Sequence, residues 1–219
     1  MTDVTIAALR DEAERYTRDL ADGEPLDALS AALVTLAVSS SVTALDRAEV
    51  GAAIERCLDA GASVAQVQEI IALTSGLGVH SLMVTATAVL DAAAERGLLD
   101  PQAPLEPESQ DLWNQYVGDD PFWEGFSSEL PGFLESLLRL SPDMFTGFFE
   151  YCAIPWRSGT VRARIKELSA LACDAAPSHR FRPGFRVHLK NAVGLGVGRL
   201  AIMQAMDIAA AAPEHRGTD

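Results

Sequence analysis

The sequence feature that most constrains the fold is a pair of long stretches without a charged side chain, at residues 28–45 and 70–90. In the first stretch Leu29, Leu33 and Leu36 recur at helical spacing, and apolar residues fill the other faces as well. A helix that is apolar on all sides is normally buried between other elements. Both stretches approach the roughly 20 residues of a membrane span, but serine, threonine and glycine residues interrupt them. We therefore predict two buried helices of a soluble helical bundle.

Composition and local signals favour an all-α fold. Aromatic residues make up 6% of the chain, and alanine, the best helix former, is abundant. Strand-like alternation is scarce. Asp46 followed by Glu49 predicts a capped helix start, and Gly61 is placed to end that helix before Ser63 caps the next one. We expect helices in both halves of the chain, joined by turns.

Residues 98–130 differ from the rest of the chain because they are acidic and rich in proline. A segment of this composition is typical of a surface connector. Trp113, Tyr116, Phe122 and Trp123 make the segment too apolar for a free linker. We expect it to pack on the body of the chain or on another subunit.

The order of the predicted elements repeats along the chain. A shift that places Leu33 on Leu168 and Gly61 on Gly196 aligns an apolar helix, a capped helix, a glycine-centred turn and a further helix, although identity is close to chance. We therefore predict two tandem helical domains related by internal duplication. The predicted domains are a first repeat, the connector and a second repeat, at residues 1–97, 98–130 and 131–219.

The net charge of −14 argues against nucleic-acid and anionic-membrane partners, because both bind through a surplus of Lys and Arg. Charge is nevertheless segregated, since residues 157–190 hold eight Lys or Arg against two Asp or Glu. This basic segment is suited to attracting an anionic small substrate. Contacts between the halves of the chain or between subunits are the commoner use of such a segment.

Cysteine usage and the N-terminal residues predict a cytoplasmic protein. Cys57, Cys152 and Cys173 are odd in number and show no Cys-x-x-Cys spacing, which is typical of free thiols in a reducing compartment. The first residues carry mixed charge and lack the apolar core of a signal peptide.

The most distinctive segment, residues 166–192, combines Glu167, His179 and His188 with several arginines. It reads Lys-Glu-Leu, then Ser-His-Arg-Phe-Arg-Pro-Gly, then a helix with histidine followed four positions later by Ala192. This pattern resembles the carboxymuconolactone decarboxylase/alkylhydroperoxidase D-like family. In that family a Lys-Glu-Leu helix precedes a Thr-His-x-Tyr-x-Pro-Gly segment and a helix with His-x-x-x-Ala.

The first half carries a weaker form of the same pattern. The helix start Gly-Ala-Ser at 61–63 and the Leu-Gly-Val-His run at 77–80 are similar to the family's Gly-Ala-Thr and Leu-Gly-Ile-His. Together the resemblance covers most of residues 26–95 and 131–212. It implies an all-helical, oligomeric protein, and two domains in one chain look like a fused dimer. We therefore expect a homo-oligomer, a dimer or trimer of two-domain chains.

The resemblance does not extend to the redox cysteines. Peroxidase members of the family use a Cys-x-x-Cys whose second cysteine precedes the helix histidine by four positions. Phe181 and Gly184 occupy these positions before His188, so a thiolate nucleophile is missing there. Cys173 lacks a resolving partner and lies in an apolar helix. A thiol peroxidase is therefore disfavoured.

The decarboxylase branch of the family implies a cofactor-independent lyase acting on a small, anionic, carboxylated substrate. Decarboxylation needs a proton donor for the enolate that forms, and an imidazole suits this task near neutral pH. We predict that His188 carries out the acid–base chemistry with support from Glu167 and His179, and that Arg182 and Arg186 bind the substrate carboxylate. The sequence has no metal-ligand spacing and no phosphate-binding glycine motif, so we predict no metal and no cofactor.

A non-catalytic protein is the alternative, a degenerate family member that serves oligomerisation or small-molecule binding. In the aligned halves Glu167, His179 and His188 all fall on alanines, so we predict a single site per chain and a first half that acts as a scaffold. His80 is expected to be a packing residue. His215 lies in a polar tail and is expected to have no role.

Overall fold

The structure is a computed structural model that describes residues 3–216. Within this range the regular elements are all helices, which confirms the predicted all-α fold. In chain order they are α1 (Ile6–Tyr16), α2 (Ala28–Ser40), α3 (Arg47–Asp59), α4 (Val64–Ser75), a 3₁₀ turn (Gly76–Val79), α5 (His80–Glu95), α6 (Pro107–Tyr116), α7 (Pro121–Glu129), α8 (Phe133–Leu140), α9 (Pro142–Ser158), α10 (Ala163–Ala175), α11 (Arg182–Gly194) and α12 (Arg199–Ala210).

The chain forms two compact units. Among the described residues, unit 1 contains 3–77 and 154–216, and unit 2 contains 78–153. Unit 1 therefore combines α1 to α4 with α10 to α12, whereas unit 2 holds α5 to α8 and most of α9. The domains predicted from the sequence are two repeats and the connector between them, at 1–97, 98–130 and 131–219. These bounds stay a prediction.

The helix starts in the first half form as the local signals predict. The Asp46 side chain accepts hydrogen bonds from the first amides of α3. Gly61 follows that helix with a φ of 87°, a conformation that favours glycine. Ser63 and Gln66 then bond reciprocally in a capping box that starts α4.

The core of unit 1 is built around α10. Every residue from Ile165 to Ala175 is buried, and the helix packs against α2, α11 and α12. The apolar helix α2 contributes Leu33, Val34 and Leu36 to the same core. The first uncharged stretch is therefore a buried helix, as predicted.

The second uncharged stretch does not form a fully buried helix. In α5 the buried residues are Ala86 and Leu90, whereas Val84 and Val89 are 61% and 52% exposed. Within unit 2 the helix packs against α8, and this contact leaves much of its apolar surface uncovered. By length and composition alone Val64–Glu95 could cross a membrane, a test that core helices of soluble proteins also pass.

The acidic segment of unit 2 is helical, which its composition did not predict. Pro107 and Pro121 stand in the first turns of α6 and α7, where proline lacks only an amide that has no helical partner. The aromatic residues pack on α9, with ring centroids 4.9 Å apart both for Tyr116 with Phe149 and for Trp123 with Phe149. The prediction that this segment packs on the body of the chain is confirmed.

The helix α9 is longer than predicted. The sequence suggested a helix at 144–151 followed by a turn around Pro155, but α9 continues through this proline to Ser158. Pro155 has no N–H to donate to the carbonyl of Tyr151, four positions earlier, so α9 continues through its last turn with one helical hydrogen bond fewer.

A constant offset relates three helices of unit 1 to three others in the same unit. Adding 135 to both bounds of α2, α3 and α4 gives the bounds of α10, α11 and α12. Residues related by this offset also meet each other: the hydroxyls of Thr43 and Ser178 lie 3.3 Å apart, and Arg162 Nη2 lies 3.5 Å from Asp27 Oδ2. A two-fold arrangement places equivalent residues in contact at its axis. These contacts support the predicted internal duplication, which we retain as a proposal.

A second kind of contact occurs twice, once in each direction between the two sets of helices. Val161 N donates to Glu69 Oε2 at 3.3 Å, and at the positions offset by 135, Leu26 N donates to Gln204 Oε1 at 2.6 Å. In each case a side chain from the last helix of one half holds the backbone that precedes the apolar helix of the other half. This exchange also favours a two-fold relation.

One buried ion pair ties α4 to α10. Lys166 pairs with Glu69, and the two residues are 2% and 5% exposed. Lys166 Nζ also donates to the carbonyl of Pro155 at 2.6 Å, and Thr160 N donates to Glu69 Oε2 at 3.0 Å. Burial by itself raises the pKa of Glu69, but the hydrogen bonds from Lys166 and Thr160 outweigh burial and bring the pKa to about 2.

We expect Lys166→Met to lower the free energy of unfolding by about 3–5 kcal/mol, because it leaves Glu69 buried without its cation. Adding Glu69→Gln should recover part of this loss, since a neutral amide still accepts from the backbone and no longer buries a charge. Arg10→Met breaks the exposed pair with Asp207 and serves as the control, with an expected loss below about 1 kcal/mol. Denaturant unfolding measures all three values. Equal losses in the single and double variants would contradict the explanation.

Candidate functional site

The predicted pair Glu167 and His188 is brought together by α10 and α11. His188 Nδ1 lies 2.7 Å from Glu167 Oε2, and Asn191 Nδ2 donates to the other carboxylate oxygen at 3.2 Å. His188 and Asn191 are three positions apart on α11, so both side chains face α10. The Glu167 carboxylate therefore fixes the ring of His188 and leaves Nε2 available on the other side.

Asp174, also on α10, is a third ionisable residue close to His188. It lies two turns after Glu167, and its side chain is fully buried. Its carboxylate oxygens lie 4.0 Å from His188 Nε2 and 3.6 Å from His179 Nε2. The structure thus brings together the three predicted catalytic residues, with His179 connected to the other two through Asp174. We call Glu167, Asp174, His179, His188 and Asn191 the polar cluster.

The turn between α10 and α11 positions His179. The amide of His179 donates to Ala176 O at 2.9 Å, and the amide of Phe181 donates to Asp174 O at 2.8 Å. Arg180 takes a left-handed conformation with a φ of 53°, which is uncommon outside glycine. These bonds fold the chain tightly back so that α11 starts beside the end of α10.

Gly184 makes the approach of Asp174 sterically feasible. A Cβ atom at this position would collide with the Asp174 carboxylate. The sequence pattern places the family's second redox cysteine at Gly184, so the carboxylate of Asp174 lies in the space that a larger side chain would need. A glycine at position 184, in place of the family's cysteine, is therefore required by the Asp174 carboxylate beside it.

The surroundings shift the pKa values of the cluster in different directions. Burial alone lowers the pKa of His188, but the hydrogen bond and charge of Glu167 and the charge of Asp174 outweigh burial and raise it. Burial raises the pKa of Asp174 to about 7, although the nearby His188 acts in the opposite direction. Burial lowers the pKa of His179. The cluster therefore contains groups that exchange protons near neutral pH.

The predicted substrate-binding arginines lie on α11 and face α1. Arg186 pairs with Glu12, and Arg182 Nε lies 3.7 Å from the same carboxylate. Their side chains are 41% and 33% exposed. In the structure both arginines hold α1 against α11, and their binding of a substrate stays a prediction.

Sequence reasoning missed Asp174 and Asn191 as site residues. A signal for Asp174 was present, because it is a carboxylate inside the otherwise apolar run at 168–176 and lies seven positions after Glu167. That spacing returns a side chain to the same helix face. Asn191 carried a weaker signal, since an amide three positions after His188 is common on helix surfaces.

The thiols lie in environments that suppress thiolate formation. Burial and the neighbouring Asp174 raise the pKa of the fully buried Cys173 well above its ordinary value, and burial raises the pKa of Cys152 to about 11. Among the described residues of unit 1, Asp174 and His179 offer the carboxylate and imidazole ligands that transition metals prefer. The absence of a metal and a cofactor stays a prediction.

Asp174→Asn should change how stability depends on pH. The pKa of Asp174 is higher in the folded chain than in the unfolded chain, where it is about 4. Its contribution is therefore fully present below about pH 4 and is lost as the pH rises through about 7. Relative to the variant, the wild type should lose unfolding free energy across this range in denaturant titrations. The exposed Asp59→Asn control should track the wild type, and a wild type parallel to Asp174→Asn would contradict the assignment.

Comparison with known proteins gives a structural relative. No family model matches the chain, and no curated protein matches it. A crystal structure from Burkholderia xenovorans LB400, provisionally described as a gamma-carboxymuconolactone decarboxylase subunit, superposes with a TM-score of 0.72 at 27% sequence identity. The match covers 94% of this chain and 90% of the other.

The match spans nearly the whole chain, so it includes residues from both halves. It agrees with the resemblance carried by the Lys-Glu-Leu helix, the turn at 178–184 and the helix that bears His188. The motifs and the fold are therefore both similar to those of a carboxymuconolactone decarboxylase-like protein.

Proposed function

We propose that the chain is a cofactor-independent lyase that decarboxylates a small carboxylated substrate through acid–base chemistry at His188. The observation that carries this proposal is the 2.7 Å contact between His188 Nδ1 and Glu167, which leaves Nε2 as the atom available for proton transfer. An imidazole whose tautomer is fixed by a carboxylate is a common arrangement for a catalytic acid or base.

The proposed reaction breaks the bond between the substrate carboxylate and the adjacent carbon. Carbon dioxide leaves, and the electron pair of that bond remains on the substrate as an enolate or dienolate. The protonated ring of His188 then donates the Nε2 proton to the substrate carbon, and the neutral ring regains a proton from solvent. The raised pKa of His188 increases the protonated fraction near neutral pH, which suits a proton donor.

The other members of the polar cluster have supporting roles in this scheme. Glu167 stabilises the imidazolium and orients the ring, while Asn191 fixes the carboxylate of Glu167. Asp174 lies 4.0 Å from Nε2 of His188, and with a pKa of about 7 it can relay the proton that the neutral ring regains from solvent. His179, with its lowered pKa, is suited to accept a proton as a neutral ring.

The arginines supply the proposed binding of the substrate carboxylate. The side chains of Arg182 and Arg186 are partly exposed, so a ligand can approach both guanidinium groups. A bidentate contact from either guanidinium would orient the carboxylate, and the basic segment would attract an anionic substrate. The name of the structural relative suggests gamma-carboxymuconolactone as the first substrate to test.

We also propose that the chain forms a cytoplasmic homo-oligomer. The exposed valines of α5, Val84 and Val89, support an additional contact because they leave apolar surface in water. The alternative function, a non-catalytic member of the family, shares the fold but requires no chemistry at His188. A thiol peroxidase is opposed by the burial of Cys173.

We expect His188→Ala to lower kcat for decarboxylation of gamma-carboxymuconolactone by about 10²–10⁴-fold, because the proton donor is lost. Glu167→Gln should lower the rate less and shift the alkaline limb of the pH–rate profile to lower pH. The sign follows because Glu167 raises the pKa of His188, so its loss deprotonates the donor at lower pH. His215→Ala, in the exposed tail, is the control and should match the wild type. Carbon dioxide release measures the rate.

Two results would contradict the proposal. Unchanged turnover in His188→Ala would exclude its role as the donor. Absence of turnover by the wild type across lactone and β-keto acids, with all variants normally folded, would favour the non-catalytic alternative.

A further inference from the structure

A cavity lies in unit 1, and none of its lining residues belongs to the polar cluster. Its volume is about 350 Å³, which lies at the lower end of the range for small-molecule sites. One wall comes from α2 and α3, and the other comes from the segment that follows α12. The lining residues are Thr35, Ser39, Asp46, Glu49, Arg56, Ala211, Pro213, Glu214 and Arg216.

The cavity occupies the position in the first half that the polar cluster occupies in the second. At the offset of 135, Ser39 corresponds to Asp174, and Arg56 corresponds to Asn191. Glu49 corresponds in the same way to Gly184. The sequence predicted a scaffold here because the catalytic side chains fall on alanines. The structure instead reveals a cavity whose polar groups differ from those of the second half.

Three side chains in this cavity have polar atoms available for a ligand. Ser39 is 3% exposed as a residue, and it lines the cavity. Glu49 and Arg56 are exposed residues of α3 that line the same cavity, so a ligand can reach their charged groups. A ligand that pairs with such groups can replace the water that they contact.

The remaining wall is held in place by Arg216. Its amide donates to Leu45 O at 3.0 Å, and its Nε lies 3.4 Å from Asp46 Oδ2. Asp46 also caps α3, so both of its oxygens are engaged. These contacts hold the segment that follows α12, which includes Glu214, at the wall of the cavity.

We propose that this cavity binds a small basic amino acid. The Arg56 guanidinium complements a carboxylate, and Glu49 and Glu214 complement ammonium groups, whereas the charges of Arg216 and Asp46 offset each other. The Ser39 hydroxyl lies between helices and can donate to or accept from the bound group. A ligand with one carboxylate and two ammonium groups satisfies all three charges, which a plain carboxylate or a plain diamine does not.

The test is calorimetric titration of the full chain with L-lysine, compared with L-norleucine and cadaverine. L-norleucine lacks the side-chain ammonium, and cadaverine lacks the carboxylate. We expect L-lysine to bind most tightly. Arg56→Ala and Glu49→Gln should each weaken L-lysine binding by about tenfold, the effect of losing one charge-assisted hydrogen bond.

Two controls separate this site from other effects. Glu55→Gln changes a carboxylate on the exposed surface of α3 and should leave L-lysine affinity unchanged. His188→Ala should also leave it unchanged, because the two sites use different residues. Absence of measurable L-lysine binding to the folded wild type, or equal affinity in Arg56→Ala, Glu49→Gln and Glu55→Gln, would overturn the proposal.

Discussion

The structure depends on one constraint: α10 is buried along its length and yet carries Lys166, Glu167 and Asp174. Each ionisable group removed from water costs several kcal/mol unless a partner compensates it. Lys166 meets Glu69 from α4, and Glu167 meets His188 from α11. Asp174 meets the two histidines. The need to compensate these groups fixes how α4 and α11 pack on α10, so the same requirement that organises the core also assembles the polar cluster.

The two halves of unit 1 share helix bounds but not chemistry. Where the second half has Asp174 beside Gly184, the first half has Ser39 beside Glu49, and the cavity there opens to solvent. Both halves keep the same buried leucines, since Leu33 and Leu36 in the first half correspond to Leu168 and Leu171 in the second. Under the proposed duplication, these leucines maintain the helix packing, so the polar residues of one half can change without loss of the fold. Under the two proposals, one half carries out chemistry and the other binds a different small molecule.

Much of this architecture follows from the sequence because helix periodicity and capping are local properties. The starts of α3 and α4 at Asp46 and Ser63, and the burial of α2, were predicted on those grounds. The helices of the acidic segment were missed because their prolines occupy first turns, which composition alone does not separate from loops. Asp174 was missed although its spacing from Glu167 places both on one helix face, because its role depends on the approach of α11 that Gly184 permits, and spacing within α10 does not reveal that contact.

The proposed role of Glu167 is to hold His188 with its proton on Nδ1 and to raise the pKa of the ring. ¹⁵N NMR of the imidazole across a pH titration tests this role, because the two ring nitrogens shift differently in each tautomer. We expect neutral His188 to carry its proton on Nδ1 and to titrate above the ordinary value of about 6.5, and we expect Glu167→Gln to lower this pKa. A neutral ring protonated on Nε2, or a titration that Glu167→Gln does not change, would contradict it.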